Sequence, residues 1–301
     1  MSCSLRVDRV GPLCTVQDGG RPGLLAHGIS ASGPMDIAAH RLAGALAGAC
    51  DETGIELTRA GIDLLVEAGE LIVGWAGGAF EVRVNGEQRP WPGGARIAVG
   101  DRLSITPGAA GNYGYLRSDK GLDLPMVLGS RATSTRARLG GLKGRALRAG
   151  DVLKFAGEGG PMQTVVPPDP PEAGPVRFVW AIHAERFAAD VRRKFVETPF
   201  RVTNAMDRMG VRLADEGGVF AASSILSLIS DPILPGDIQI LGDGTPIVLM
   251  RDHQPTGGYP RIGTIIGVDL GRFAQIRSGE AVVFAPVSVD HAHRLLRSAT
   301  P

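Results

Sequence analysis

Several features that mark whole classes of protein are scarce here. Three cysteines occur in 301 residues, Cys3, Cys14 and Cys50, an odd number without a Cys-x-x-Cys spacing. That argues against a disulfide framework or a zinc knuckle and fits a reducing compartment. Charge of one sign is also lacking. Lys+Arg 32 against Asp+Glu 31 leaves a net charge of +1, which gives no global attraction to nucleic acid or to an anionic membrane. Long apolar runs are missing: the longest uncharged stretch, Gly217 to Ser230, is too short to cross a bilayer and is broken by serines. The first residues, Met1 to Arg9, carry Arg6, Asp8 and Arg9 in place of an apolar leader core. A soluble, cytoplasmic chain is therefore expected. Neither G-x-x-x-x-G-K-[ST] nor G-x-S-x-G nor H-E-x-x-H is present, so a P-loop, a nucleophile elbow and a zincin helix are not expected. His291-Ala292-His293 has no neighbouring Cys or carboxylate cluster, and no metal site is expected.

What is abundant is backbone punctuation. Gly 43 and Pro 21 lie between short apolar runs, the pattern of many turns joining many strands. Gly costs roughly 1 kcal/mol and Pro roughly 3 kcal/mol inside a helix, so a helical bundle is disfavoured. The run from Gly157 to Pro175 holds six prolines after residue 160 and reads as an extended connection. It separates an expected N-terminal domain, 1–160, from a linker, 161–175, and a C-terminal domain, 176–301. Strands are predicted in the first at Asp63–Ala68, Leu71–Trp75, Phe80–Asn85, Arg96–Val99, Leu103–Thr106 and Asn112–Arg117. In the second they are predicted near Arg177–Ile182, Phe200–Thr203, Ile238–Leu241, Ile247–Met250, Thr264–Val268 and Ala281–Pro286.

Each half also contains a helical segment. Met35–Cys50 places Ile37, Leu42, Ala45, Leu46 and Ala49 on one apolar face, with His40 partly exposed. Glu185–Val196 repeats Phe187, Val191 and Phe195, and its Arg192-Arg193-Lys194 run reads as a solvated face near the helix end. A local pattern recurs at Gly100-Asp101, Gly150-Asp151, Gly236-Asp237 and, more loosely, Gly279-Glu280: a tight turn feeding a strand. The residues thus point to a mainly β protein built from two similar barrels, with one or two short helices each.

Polar chemistry gathers in four glycine-rich loops. The first, Thr15 to Gly23, contributes Gln17, Asp18 and Arg21. The second, Gly28 to Asp36, contributes Ser32 and Asp36; its N–H groups can hold an anion, or its side chains can simply cap the helix that follows. The third, Asn204 to Leu213, contributes Asp207 and Arg208, alternatively a surface ion-pair turn. The fourth, Arg251 to Pro260, is the densest, with Asp252, His253, Gln254, Thr256, Gly257, Gly258 and Tyr259 between two apolar strands. Polar groups in such a place are expensive unless satisfied. Guanidinium groups grip carboxylates and phosphates, so Arg21 and Arg208 are candidates for an anionic substrate group. Gln17 and Gln254 suit an amide. Asp18, Asp252 or His253 suits a general base, with N–H donors at Gly257 and Gly258 for a developing oxyanion.

The stretches TVQDGGRPG and GISASGPMD, then LDLPMVLGSRATSTRARLGGLKGRALRAGD, DRMGVRL and GDGTPIVLMRDHQPTGGYPRIGTIIGVDL, together resemble the KipA family. That family is also called the biotin-dependent carboxyltransferase or allophanate hydrolase subunit 2 family, and the resemblance spans nearly the whole chain. It implies two cyclophilin-like β-barrel domains and a hetero-oligomer with a KipI-type B component. In the 5-oxoprolinase members it further implies a LamB/YcsF-type A component and lactam hydrolysis at the expense of ATP, whose site can lie on a partner. In the urea carboxylase members it implies carboxyl transfer from biotin carried elsewhere. A third branch implies a non-catalytic antagonist of a KipI-like kinase inhibitor. Relatives usually read Q-T-T-G-G-Y where this chain has Pro255 in place of the first Thr. They also commonly carry a Gly-Pro turn where it reads VRFVWAIHAERF.

Overall fold

The computed structural model describes residues 3–163, 165, 174–221 and 228–299. It divides into two compact units, Met1–Gly23 with Ala31–Asp169, and Leu24–Ser30 with Pro170–Pro301. The expected linker, 161–175, falls largely outside the described residues.

The first unit is a ten-stranded antiparallel sheet with one α-helix. In chain order it comprises β1 (Cys3–Val10), β2 (Thr15–Gln17), α1 (Ile37–Ala47), β3 (Gly54–Thr58), β4 (Ile62–Ala68), β5 (Glu70–Val84), β6 (Glu87–Arg89), β7 (Gly93–Ala98), β8 (Arg102–Ser118), β9 (Gly121–Leu122) and β10 (Val152–Ala156). The main path runs β2-β3-β8-β4-β1-β10-β9, and β5 joins β6, β7 and β8. Alternation drives the burial: Cys3, Leu5 and Val7 of β1 and Ile62, Leu64 and Val66 of β4 face one core around Trp75.

Two pairs of predicted strands turn out to be single long ones. Leu71–Trp75 and Phe80–Asn85 belong to β5, and Leu103–Thr106 and Asn112–Arg117 to β8. The intervening glycines mark bends, not ends: the β5–β8 register shifts between Gly77 and Phe80. A bulge lets one strand serve two pairings, here with β7 before the bend and with β6 after it.

Helix α1 buries Ala39, His40, Ala43, Gly44, Leu46 and Ala47, a face that shares only Leu46 with the one predicted from the apolar residues. The reason is close approach. A Cβ on Gly74 of β5 would lie 2.3 Å from the Ala43 carbonyl oxygen, so the helix backbone approaches the sheet closely where Ala43, Gly44 and Ala47 face it.

The second unit holds β11 (Val176–Trp180), α2 (Ala189–Glu197), β12 (Phe200–Met206), β13 (Gly210–Ala214), β14 (Asp231–Pro232), β15 (Asp237–Ile240), β16 (Pro246–Leu249), β17 (Thr256–Gly257), β18 (Arg261–Ile265), α3 (Gly267–Ala274), β19 (Ala281–Val282), β20 (Phe284–Pro286) and α4 (Val289–Ala299). Eight strands form one sheet in the order β19-β12-β13-β16-β15-β18-β11-β20, and β14 pairs β17 in a separate ribbon. Phe178, Phe195, Phe200, Phe220 and Phe284 pack its core, Phe195 stacking on Phe284 at 5.1 Å. The molecule is mainly β, with one sheet curled as a half-barrel and the other a nearly closed barrel. The helix predicted from Glu185 starts later, at Ala189, because Phe187 is extended and buried near Phe220. Helix α3 takes over the end of the predicted strand Thr264–Val268, and α4 was not foreseen.

The recurrent Gly-acid pairs form one turn four times. Gly100, Gly150, Gly236 and Gly279 have φ of 91, 90, 94 and 88°, and the next residue's carboxylate accepts from the N–H three residues before it. Those bonds, to Ala98, Arg148, Leu234 and Arg277, are 2.8 to 2.9 Å long. Each turn places glycine where φ must be positive and launches β8, β10, β15 or β19.

Candidate functional site

In the first unit, strand β2 delivers Gln17, fully buried, as a staple between loops. Its Nε2 donates to Thr15 Oγ1 (2.9 Å) and to the Thr133 carbonyl (3.1 Å), while its Oε1 accepts from Gly33 N (3.0 Å). Asp18 accepts from Gly20 N (2.8 Å), Ser130 Oγ (2.5 Å) and Arg131 N (2.5 Å). Three donors on one carboxylate make Asp18 an organiser of the 127–134 segment. Arg21 is buried, with its guanidinium directed at the carbonyls of Val127 and Ala132.

Beside it, the segment before α1 is anchored from below. Gly33 N reaches Gln17, Met35 N donates to Glu56 Oε2 (2.8 Å), and Asp36 N donates to the Tyr115 hydroxyl (2.7 Å). Tyr115 donates in turn to Glu56 (2.9 Å), and Asp36 caps the helix through Ala39 N (3.1 Å). The capping alternative is thus realised, and three N–H groups suited to cradling an anion are taken by the chain's own side chains. Burial, with the nearby Glu56 charge, holds the Tyr115 phenol well above its usual value. Ser32 is buried with φ of 56°, and its hydroxyl has no partner among the described residues. His40 is buried, contrary to expectation, because it lies on the small-residue face of α1 edge-on to Tyr115. Desolvation, then the Arg117 charge, pushes its imidazole down to about 3.

The second unit joins the third and fourth loops. The β13–β16 ladder continues past its ends, Met250 N donating to the Met209 carbonyl (2.9 Å) and Asp252 N to that of Arg208 (2.7 Å). This brings Arg208 against Asp252 in a buried two-point ion pair, Nε to Oδ2 2.8 Å and Nη2 to Oδ1 3.2 Å. Asp207, adjacent in sequence, turns outward and accepts from Met209 N (2.7 Å) and Gly210 N (3.2 Å). His253 is buried, its Nδ1 2.6 Å from the Gln254 carbonyl oxygen, and burial lowers its pKa. Thr256 and Tyr259 are exposed, and Gly257 pairs with Asp231 in the β14–β17 ribbon. A Cβ on Gly257 would lie 2.5 Å from Gln239 Nε2, a buried donor without a partner among the described residues.

Gln254 and Asp207 meet in a pocket of roughly 420 Å³, with Asn204, Met206, Met209, Arg212, Ile247 and Leu249 among its lining. Sequence reasoning proposed Arg21 and Arg208 as anion grips and passed over Arg212, the guanidinium that lines this pocket. It also passed over Tyr115, Glu56 and Gln239, the last two each flanked on both sides by apolar strand residues. That isolation was the available signal.

Residues 27–286 match the family described as carboxyltransferase domain, subdomain A and B. The chain is 33% identical to the C component of 5-oxoprolinase from Escherichia coli (strain K12), over 96% of this chain and 93% of that protein. It is 32% identical to the C component of 5-oxoprolinase from Haemophilus influenzae, over 94% and 91% respectively. The crystal structure of Kluyveromyces lactis urea amidolyase superposes with a TM-score of 0.88 at 26% identity, covering 99% of this chain and 19% of that one.

Proposed function

Since the chain belongs to the family of carboxyltransferase domains, subdomain A and B, we propose that it serves as the C component of an ATP-dependent 5-oxoprolinase. The observation that carries this reading is the reach of the similarity, over 90% of both chains for the 5-oxoprolinase components against 19% of the urea amidolyase chain. The reaction adds water across the lactam C–N bond of 5-oxoproline to give glutamate, driven by cleavage of ATP. In this reading a KipI-type B component and a LamB/YcsF-type A component complete the enzyme in the cytoplasm. The triphosphate is assigned to a partner, a reading supported by the engagement of the N–H groups before α1 by Gln17, Glu56 and Tyr115. This chain's part is to hold and orient the lactam.

A carboxyltransferase acting on a urea-like amide is the second reading, favoured by the likeness to urea amidolyase. The chain would then meet biotin on a separate carrier. Deleting the gene and supplying 5-oxoproline as nitrogen source tests the first reading: growth and 5-oxoproline consumption should fail. Unimpaired consumption would refute it. Tagged chain recovered from its native cell should bring down two further proteins of the complex, and a biotinylated one would shift the assignment to carboxyl transfer.

A further inference from the structure

The pocket between β12, β13 and the Gln254 loop has a composition that neither reading assigns. Its apolar lining comprises Met206, Met209, Ile247 and Leu249. Its polar side chains are few: Asn204, Asp207, Arg212 and Gln254. The Asn204 amide oxygen is occupied by Ser278 Oγ at 2.6 Å, and Asp207 Oδ1 by two backbone N–H groups. Arg212 is exposed on β13 and makes no ion pair among the described residues, although Asp243 lies near enough to feel its charge. The two arginines proposed from the sequence for anion binding are instead buried, Arg208 against Asp252 and Arg21 beside backbone carbonyls. A concave site of this size, in which apolar side chains are mixed with a few polar groups, is what a small ligand requires.

We propose that this pocket binds a carboxylated lactam or amide, with Arg212 as the residue that selects for the carboxylate. The guanidinium takes the carboxylate, the Gln254 amide donates to the lactam carbonyl, the second oxygen of Asp207 accepts the lactam N–H, and the ring methylenes lie against Met206, Met209 and Ile247. The assignment rests on the 5-oxoprolinase reading for the identity of the lactam. A ligand without a carboxylate, such as urea, leaves Arg212 idle, so the residue separates the two substrate classes.

The test titrates the full-length chain, and the complex recovered with it, with L-5-oxoproline, 2-pyrrolidinone and urea. L-5-oxoproline should bind at least tenfold tighter than 2-pyrrolidinone, the gain typical of a charge-assisted contact. Arg212→Met should erase that preference while shifting 2-pyrrolidinone affinity less than about twofold, and Arg212→Lys should restore part of it. In the complex, Arg212→Met should raise KM for 5-oxoproline by the same factor. Equal binding of 5-oxoproline to wild type and Arg212→Met would overturn the proposal. So would a loss of partner affinity in Arg212→Met without any response to the three probes, which would make the cavity a docking notch. Two results separate the inference from the reading beneath it. A deletion strain that still consumes 5-oxoproline, with carboxylate selection intact in vitro, removes the reading alone. A deletion strain that fails, with KM unmoved in Arg212→Met, removes the inference alone.

Discussion

Arg208 and Asp252 exchange two hydrogen bonds where both side chains are at most 7% exposed. Removing one partner strands the other's charge in a place water hardly reaches. Asp252→Asn should therefore cost about 3–5 kcal/mol in urea unfolding, whereas the pair Arg208→Met with Asp252→Leu should recover most of it. This also changes how Asp252 is viewed: its carboxylate is committed to the loop's geometry, as that of Asp18 is. His40 allows a sharper test. The unfolded chain takes up a proton near pH 6.5, but the folded chain refuses it until about 3. Protonation therefore favours unfolding. The stability this group confers is complete above 6.5 and falls by about 1.4 kcal/mol per pH unit between those limits. His40→Gln should flatten the pH dependence of the melting temperature between about pH 6 and 4 relative to wild type. The types of these residues were plain from the sequence; their partners were not, since Arg208 finds Asp252 across 44 positions.

The helix α1 sits on β5 through backbone contact at Gly74, within 2.3 Å of where a Cβ would stand. The Ala43 carbonyl and the Ala47 amide cannot retreat without moving the helix. Gly74→Ala should therefore lose about 3 kcal/mol or more by thermal denaturation, at or beyond the upper end of ordinary overpacking. Such packing explains why hydrophobicity chose the wrong face. Period analysis rewards large apolar residues, while contact at this distance favours Ala and Gly, with Leu46 and an edge-on His40 at its margins. The same limit joined β5 and β8: glycines read as strand ends serve equally as bulges, and only the partner strand distinguishes the two. By contrast, the four Gly-acid turns were legible because the requirement is local. Positive φ and a carboxylate one residue later are enough.

Taken whole, the molecule has a net charge of +1 and, among the described residues, no helix long and apolar enough to cross a membrane. The two carboxylates offered as general bases, Asp18 and Asp252, are engaged within the fold, as are the N–H groups before α1. The isolated chain is therefore expected to show no ATP-dependent hydrolysis of 5-oxoproline, and mixing with its co-purifying partners is expected to restore it, measured as glutamate released. Activity in the purified chain alone would contradict that division of labour. By itself, the amino-acid order determined the mainly β class, the four Gly-acid turns and the family, because each depends on short spacing or long shared motifs. Tertiary structure alone decided which guanidiniums are spent on the fold and which face a cavity. That distinction depends on burial and on pairings between distant strands: β13 and β16 together leave Arg208 against Asp252 and Arg212, four residues later, at the pocket wall.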